Sequence, residues 1–407
     1  MKKIFILLVA VLIMVITGCS SSSSSPAPLS SAKAITAFSL NGFNGFINET
    51  GKTITVGVPI GTDLTSITPA ITHTGASISP AGAQNFSLPV DYTVTAADAS
   101  TAIYTVTVSF SGTLDATYFN PTGDLPGAVT TAIGTKDIAN GVAVQSDGKI
   151  VVAGESDNAF ALARYNTDGS LDTTFGTLGV VITPIGTDKS IANSVAIQSD
   201  GKIVAAGYSK NAGAGNHEDF AVARYTTSGA LDTTSFNSTG TIPGVVVTNI
   251  GATDLKDIAH GVAIQTDQKI VVAGESDNAF ALARYNTDGS LDTDFDGDGV
   301  VTTAIGTEKS IANSIAIQSD QKIVAAGYSK NTGAGNHEDF AIARYTTSGA
   351  LDTTSFNSTG TIPGVVVTNI GATDLKDIAN GVAIQPDGKI VAVGESGEDF
   401  ALVRYWP

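Results

Sequence analysis

Apolar and polar residues alternate with a period of two along most of this chain. In Val90-Asp91-Tyr92-Thr93-Val94-Thr95-Ala96, the residues Val90, Tyr92, Val94 and Ala96 share one face, and Asp91, Thr93 and Thr95 share the other. Tyr104-Thr105-Val106-Thr107-Val108-Ser109-Phe110 repeats the alternation. Such segments are half-buried antiparallel strands. Further strands are predicted at 36–40, 53–58, 67–72 and 76–79, divided by Gly, Pro and Asn turns. That density of short strands over residues 34–111 predicts a small β-sandwich.

A different pattern opens the chain. Residues 4–16 form an unbroken apolar run of 13 residues behind Lys2 and Lys3. A spanning helix needs ~20 residues, so residues 1–18 read as a signal segment. Residues 19–33, rich in Ser and Pro, have little to bury and read as a flexible tether.

From residue 114 to 407 the pattern becomes a repeat, and repeats decide a fold before motifs do. Leu-Asp recurs at Leu114, Leu171, Leu231, Leu291 and Leu351, spaced 57 and then 60 residues apart. The first unit offers four strands, at 128–133, 142–145, 149–153 and 160–165, with the hairpin dipeptide Asp147-Gly148 between the second and third. Taken as d, a, b and c in chain order, the array opens on a d strand without a blade and stops on a c strand at Arg404-Tyr405-Trp406 without a d. The expected fold is therefore all-β: the small sandwich followed by a five-bladed propeller in which the N-terminal d strand completes the last blade. Closure would remove sheet edges that an open solenoid, the alternative, leaves bare.

Composition narrows the function. Of 407 residues only 14% are charged, with Lys+Arg 21 against Asp+Glu 38, a formal charge of −17. No basic surplus exists to neutralise phosphates, so nucleic acid is not expected as a partner. The single Cys excludes a disulfide framework and a Cys-cluster metal site.

Candidate chemistry lies mostly in the b–c loops, which are long in alternate units. The long ones, which include Lys210 and Lys330, end in His217-Glu218-Asp219 and His337-Glu338-Asp339. In an antiparallel blade the b–c and d–a connections share a rim, which also carries Lys136-Asp137, Lys256-Asp257 and Lys376-Asp377. These residues are the candidate ligand rim. In extended chain His217 and Asp219 point one way and Glu218 the other. Asp292, Asp294, Asp296 and Asp298 fit the opening of an oxygen-ligand calcium loop, although the twelfth position holds Thr303 instead of Glu. A bound calcium there would be structural, and no other cofactor is expected. Arg164, Arg224, Arg284, Arg344 and Arg404 recur once per unit, with Asp172, Asp232, Asp292 and Asp352 following. Five equivalent catalytic arginines make no chemical sense, so pairing between strands or blades is their expected role. His73 reads as a surface loop residue. No catalytic residue is assigned.

Three resemblances add to this reading. Val15-Ile16-Thr17-Gly18-Cys19 resembles the bacterial lipoprotein lipobox, which implies cleavage after Gly18 and lipidation of Cys19. Ser20 behind it implies export to the outer membrane, with the membrane as partner through the acyl chains. Ile54-Thr55-Val56, Gly61-Thr62-Asp63-Leu64 and the two alternating strands above resemble Ig-like or cadherin-like modules of bacterial surface lipoproteins. Asp147-Gly148-Lys149-Ile150-Val151-Val152-Ala153-Gly154, Phe160-Ala161-Leu162-Ala163-Arg164-Tyr165 and Asp168-Gly169-Ser170-Leu171-Asp172 resemble the bacterial delta-60 repeat family, which implies β-propellers without assigned catalytic residues. The expected function is that of a non-enzymatic binding or adhesion scaffold, meeting a host or envelope glycan or protein through the rim. The alternatives are an envelope polysaccharide hydrolase or lyase, with the rim carboxylates and histidines as its groups, and a purely structural surface protein.

Overall fold

The computed structural model describes residues 28–110, 112–116, 118–211, 217–251, 256–332, 337–370 and 376–407. The signal segment and Cys19 lie outside the described residues. Chain contacts divide the protein into two units between Asp115 and Ala116.

The first unit has seven strands, β1 Ile35–Leu40, β2 Phe43–Asn48, β3 Thr53–Val58, β4 Ala70–His73, β5 Ser77–Ser79, β6 Val90–Thr95 and β7 Thr101–Phe110. They form one hydrogen-bonded sheet in the order β4-β1-β2-β3-β7-β6-β5, in which only β3 and β7 run parallel. The sheet folds back on itself. Phe38 of β1 meets Tyr92 of β6 edge to face at 5.7 Å, although three strands separate them in the sheet. Their inward faces enclose one core that also takes Ile54, Val56, Tyr104 and Val106. The expected two-layer packing is thus made by a single rolled sheet. Strand β2 was not expected, because Phe43 and Phe46 are exposed and no clean alternation marks it.

The second unit is a row of sheets, called blades below. Strands a, b, c and d of the first are Asp137–Val144, Ile150–Ser156, Ala159–Tyr165 and Val180–Thr183. The second has Lys189–Ile197, Ile203–Lys210, Glu218–Tyr225 and Val245–Thr248. The third has Asp257–Ile264, Ile270–Ser276, Ala279–Tyr285 and Val300–Thr303. The fourth has Lys309–Ile317, Ile323–Lys330, Glu338–Tyr345 and Val365–Thr368. The fifth has only Asp377–Ile384, Ile390–Ser396 and Asp399–Tyr405. Each a strand contains a bulge, as between Ala259 and Gly261, and begins several residues before the expected start. Asp137, Lys189, Asp257, Lys309 and Asp377 therefore open the a strands instead of lying in loops.

Adjacent blades pack large residues into small ones. Phe160 and Leu162 of the first blade enter a face of the second made by Ala205, Ala221, Ala223 and Tyr225. The same step recurs between the second and third, third and fourth, and fourth and fifth. Alanine on the receiving face leaves room for the aromatic ring, and the buried area drives the stacking. The closing strand is a correction. Residues 128–133 form no strand, and the fifth sheet keeps three strands. Four like steps leave the first and fifth faces apart, and among the described residues neither packs on the other.

Candidate functional site

The b–c hairpin of the second blade sets Lys210 opposite Glu218 and Ser209 opposite Asp219. Strand alternation then sends Glu218 and Asp219 to opposite faces. On one face Lys210 Nζ lies 3.8 Å from Glu218 and 3.6 Å from Asp188. The fourth blade repeats this with Lys330, 3.7 Å from Glu338 and 3.3 Å from Glu308.

On the other face Asp219 points toward the third blade. Burial pushes its carboxyl up, and the charge of Asp257 adds to the rise, while His217 and Asn249 act in the opposite sense. Asp257 is 1% exposed; its Oδ2 accepts from the Ile250 amide at 2.7 Å, while its Oδ1 is buried with no hydrogen-bond partner. The copy is faithful. Burial and Asp377 raise Asp339, Asp377 Oδ2 accepts from the Ile370 amide at 2.7 Å, and its Oδ1 has no partner either. His337 opposes the rise of Asp339 as His217 opposes that of Asp219. The structure thus gathers His217, Asp219 and Asp257 in one notch and His337, Asp339 and Asp377 in another, with Glu218 and Glu338 turned away.

The remaining interfaces carry different groups. Glu155, buried in the first blade, receives Lys136 at 3.0 Å and Lys189 of the second blade at 3.7 Å. Glu275 receives Lys309 at 3.2 Å, and Tyr328 beside it is pushed up to about 12 by burial, then by Glu275 and Glu338. Carboxylate notches and lysine–glutamate–tyrosine notches therefore alternate along the rim, because the units repeat in pairs. Sequence reasoning placed Asp257 and Asp377 on the rim but not as partners of the triplets, and it missed Glu155, Glu275 and Tyr328. Their recurrence at the end of strand b was the available signal.

A second polar line joins the a strands. Asn140 donates to the carbonyl of Ala192 at 3.0 Å, Asn193 to that of Ala259 at 2.7 Å, and Asn313 to that of Ala379 at 2.9 Å. His260 takes this position in the third blade, where burial and then the Lys309 charge lower it to about 4.

Two of the four calcium candidates, Asp292 and Asp298, have hydrogen-bond partners of their own. Asp292 Oδ2 accepts from Arg284 Nε at 2.6 Å and from Lys269 Nζ at 2.7 Å, so that carboxylate is already neutralised. Asp298 bonds the Val300 amide at 3.0 Å. Among the described residues, no group of three or more His, Cys, Asp or Glu could hold a metal ion. Arg164, Arg224, Arg284 and Arg344 pair with the aspartates that follow them, and the first three also reach the next blade, as expected, whereas Arg404 is exposed. Arg224 binds Asp232 and also donates to the carbonyl of Thr287 in the third blade at 2.6 Å.

The first unit has an open face of its own. Ile47 turns inward, while Phe46, 75% exposed, stands outward between Asn44 and Asn48 and across from Thr55. An exposed aromatic among amides and hydroxyls has the chemistry to stack on the C–H face of a sugar ring while neighbouring groups bond its hydroxyls.

Residues 35–108 match the family described as SGBP, N-terminal. Residues 145–175, 198–234, 265–295, 318–354 and 385–407 match the family described as "Domain of unknown function (DUF5122) beta-propeller". No curated protein matches the chain significantly. Among solved structures, a gluconolactonase from Xanthomonas campestris is 12% identical, with 77% of each chain covered and a TM-score of 0.35. Virginiamycin B lyase from Staphylococcus aureus is 14% identical over 66% of this chain and 83% of its own, with a TM-score of 0.32. An exo-1,5-alpha-L-arabinanase from a bovine ruminal metagenomic library is 12% identical over 65% and 90%, at 0.32. Likenesses this distant carry no argument about chemistry.

Proposed function

We propose that this chain, an SGBP N-terminal module followed by DUF5122 β-propeller repeats, is a lipid-anchored surface protein that binds a glycan without cleaving it. The observation that carries the reading is the surface-glycan-binding module at 35–108, whose outer face displays Phe46. Acylation at Cys19 supplies the outer-membrane anchor in this reading, and the net charge of −17 leaves the acyl chains to hold it there. The repeat array serves as the scaffold, and its rim, with Lys210, Glu218 and their copies Lys330 and Glu338, provides further polar contacts.

The test is affinity electrophoresis of the full-length protein in detergent, through gels cast with neutral and acidic polysaccharides. Retardation by at least one glycan, lost in Phe46→Ala, is the expected result. Migration unchanged in every gel would sink the reading. A second reading, glycan cleavage, is favoured by one observation, the half-buried Asp219 within electrostatic reach of the buried Asp257. Release of reducing ends by the wild type, abolished in Asp219→Asn/Asp339→Asn, would replace binding with catalysis.

A further inference from the structure

The face around Phe46 has an internal order set by strand register. Strands β3 and β7, the parallel pair of the sheet, place Thr53 beside Thr105 and Thr55 beside Thr107. Strand β2 adds Phe46 opposite Thr55 and Asn48 opposite Thr53, and β6 adds Asp91 opposite Thr105. Side chains two residues apart on a strand share a face. These residues therefore stand together on the outer surface, while Ile54, Val56, Tyr104 and Val106 between them fill the core.

Two apolar side chains interrupt this polar field. Phe46 is 75% exposed, and Ile103, the next outward residue of β7 beyond Thr105, is 54% exposed. Two strand spacings of ~4.8 Å and four residues at ~3.3 Å put roughly 16 Å between them. Thr53 lies midway on that diagonal. One sugar ring is much shorter than this span, whereas a chain of several rings rests on both ends. Its C–H faces meet Phe46 and Ile103, and its hydroxyls meet Thr53, Thr55 and Thr105 between them. A threonine hydroxyl donates once and accepts twice, so Thr105, which donates to Asp91 Oδ1 at 2.7 Å, still accepts. Among the outward positions of β2, β3, β6 and β7, Asp91 is the one ionisable group. The lysine nearest in sequence, Lys52, is held by Glu49 and by the Tyr104 hydroxyl.

Building on the glycan-binding reading, we propose that this face holds an internal segment of an uncharged polysaccharide, laid diagonally from Phe46 to Ile103 across Thr53. The chain is uncharged because the outward strand positions offer hydroxyls and amides but no cation, and because Asp91 and the net charge of −17 repel carboxylated or sulfated chains. It is the interior of a chain because the two apolar supports lie further apart than one ring, and an open strand face has no wall to close around a chain end.

The test runs the full-length protein in detergent through native gels cast with uncharged glucans, mannans, xylans and galactans, and with the carboxymethyl derivative of each. Retardation by at least one uncharged polymer is expected, weaker with its carboxymethyl derivative and unchanged by its free monosaccharide at millimolar concentration. Ile103→Thr and the isosteric Thr53→Val should each raise the dissociation constant read from the gels by about fivefold, with an unchanged melting temperature. Equal or stronger retardation by a carboxymethyl derivative overturns the proposal. So does release by the monosaccharide, which would put a chain end on the face, or wild-type retardation in either variant. If Phe46→Ala still abolishes retardation in those cases, the glycan-binding reading stands and only the uncharged diagonal chain fails. Free migration in every gel removes both.

Discussion

Arg224 Nε donates to Asp232 Oδ2 at 3.0 Å, with each side chain only 3% exposed. The guanidinium also lies over the Phe236 ring at 4.6 Å and reaches the Thr287 carbonyl of the next blade at 2.6 Å. One side chain thus ties strand c to the turn behind it and one blade to its neighbour.

Arg224→Ala should therefore lower the free energy of unfolding by about 3–5 kcal/mol, since it strands a buried carboxylate. Arg404 occupies the same repeat position but is exposed. Arg404→Ala should cost less than about 0.5 kcal/mol. Urea titrations of the two full-length variants compare the losses; equal losses would refute the buried-pair account.

Acid should act through the same pairs. Burial alone would raise Asp232 and Asp352, but hydrogen bonds from Ser235 and Lys202, or Ser355 and Lys322, together with the arginine charge, bring both down to about 2. A folded pKa below the unfolded value stabilises above the unfolded pKa, and the gain disappears as pH falls through the folded one. Each pair contributes on the order of 2 kcal/mol by this linkage. The melting temperature should fall steeply between pH 4 and pH 2, and Asp232→Asn should flatten that slope.

The carboxylate notches predict the opposite sign. Burial and the neighbouring charges of Asp257 and Asp377 raise Asp219 and Asp339, so their contribution is favourable below the unfolded pKa and lost as pH rises through the folded one. Asp219→Asn/Asp339→Asn should raise the melting temperature at pH 7.5 and leave it unchanged near pH 3. A lower melting temperature at pH 7.5 would mean that the ionised carboxylates are fully compensated.

Gly274 is a packing requirement. A Cβ there would lie 1.9 Å from the Ile258 carbonyl oxygen, a backbone atom that cannot swing aside. Gly274→Ala should cost about 3 kcal/mol. At Gly297, whose φ is +94° with nothing within 4 Å, alanine should cost only the ~1 kcal/mol of left-handed backbone. Thermal melts of the two variants separate the effects.

Since Arg284 and Lys269 already neutralise Asp292, neither added calcium nor EDTA should move the melting temperature. A rise of several degrees with millimolar calcium would support the calcium-loop reading.

The sequence by itself determined the local structure and the repeat. Alternation over 90–96 and 104–110 became strands, the Leu-Asp period became blades, and the recurrence of Arg224 and Asp232 identified a structural pair. These features depend on residues near in sequence or repeated at a fixed period, so one dimension records them. Strand β2 escaped because Phe43 and Phe46 face solvent, and an outward aromatic leaves no alternation to read. The proximity of Asp219 and Asp257 escaped because the two sit on different blades, and only the packing step brings them together. How the first and fifth blades stand to each other is set by the sum of four rotations between blades, each fixed by how Phe and Leu side chains seat among alanines. A repeat shows that such a step exists, but its angle comes from three-dimensional packing, and here four steps leave the ends apart.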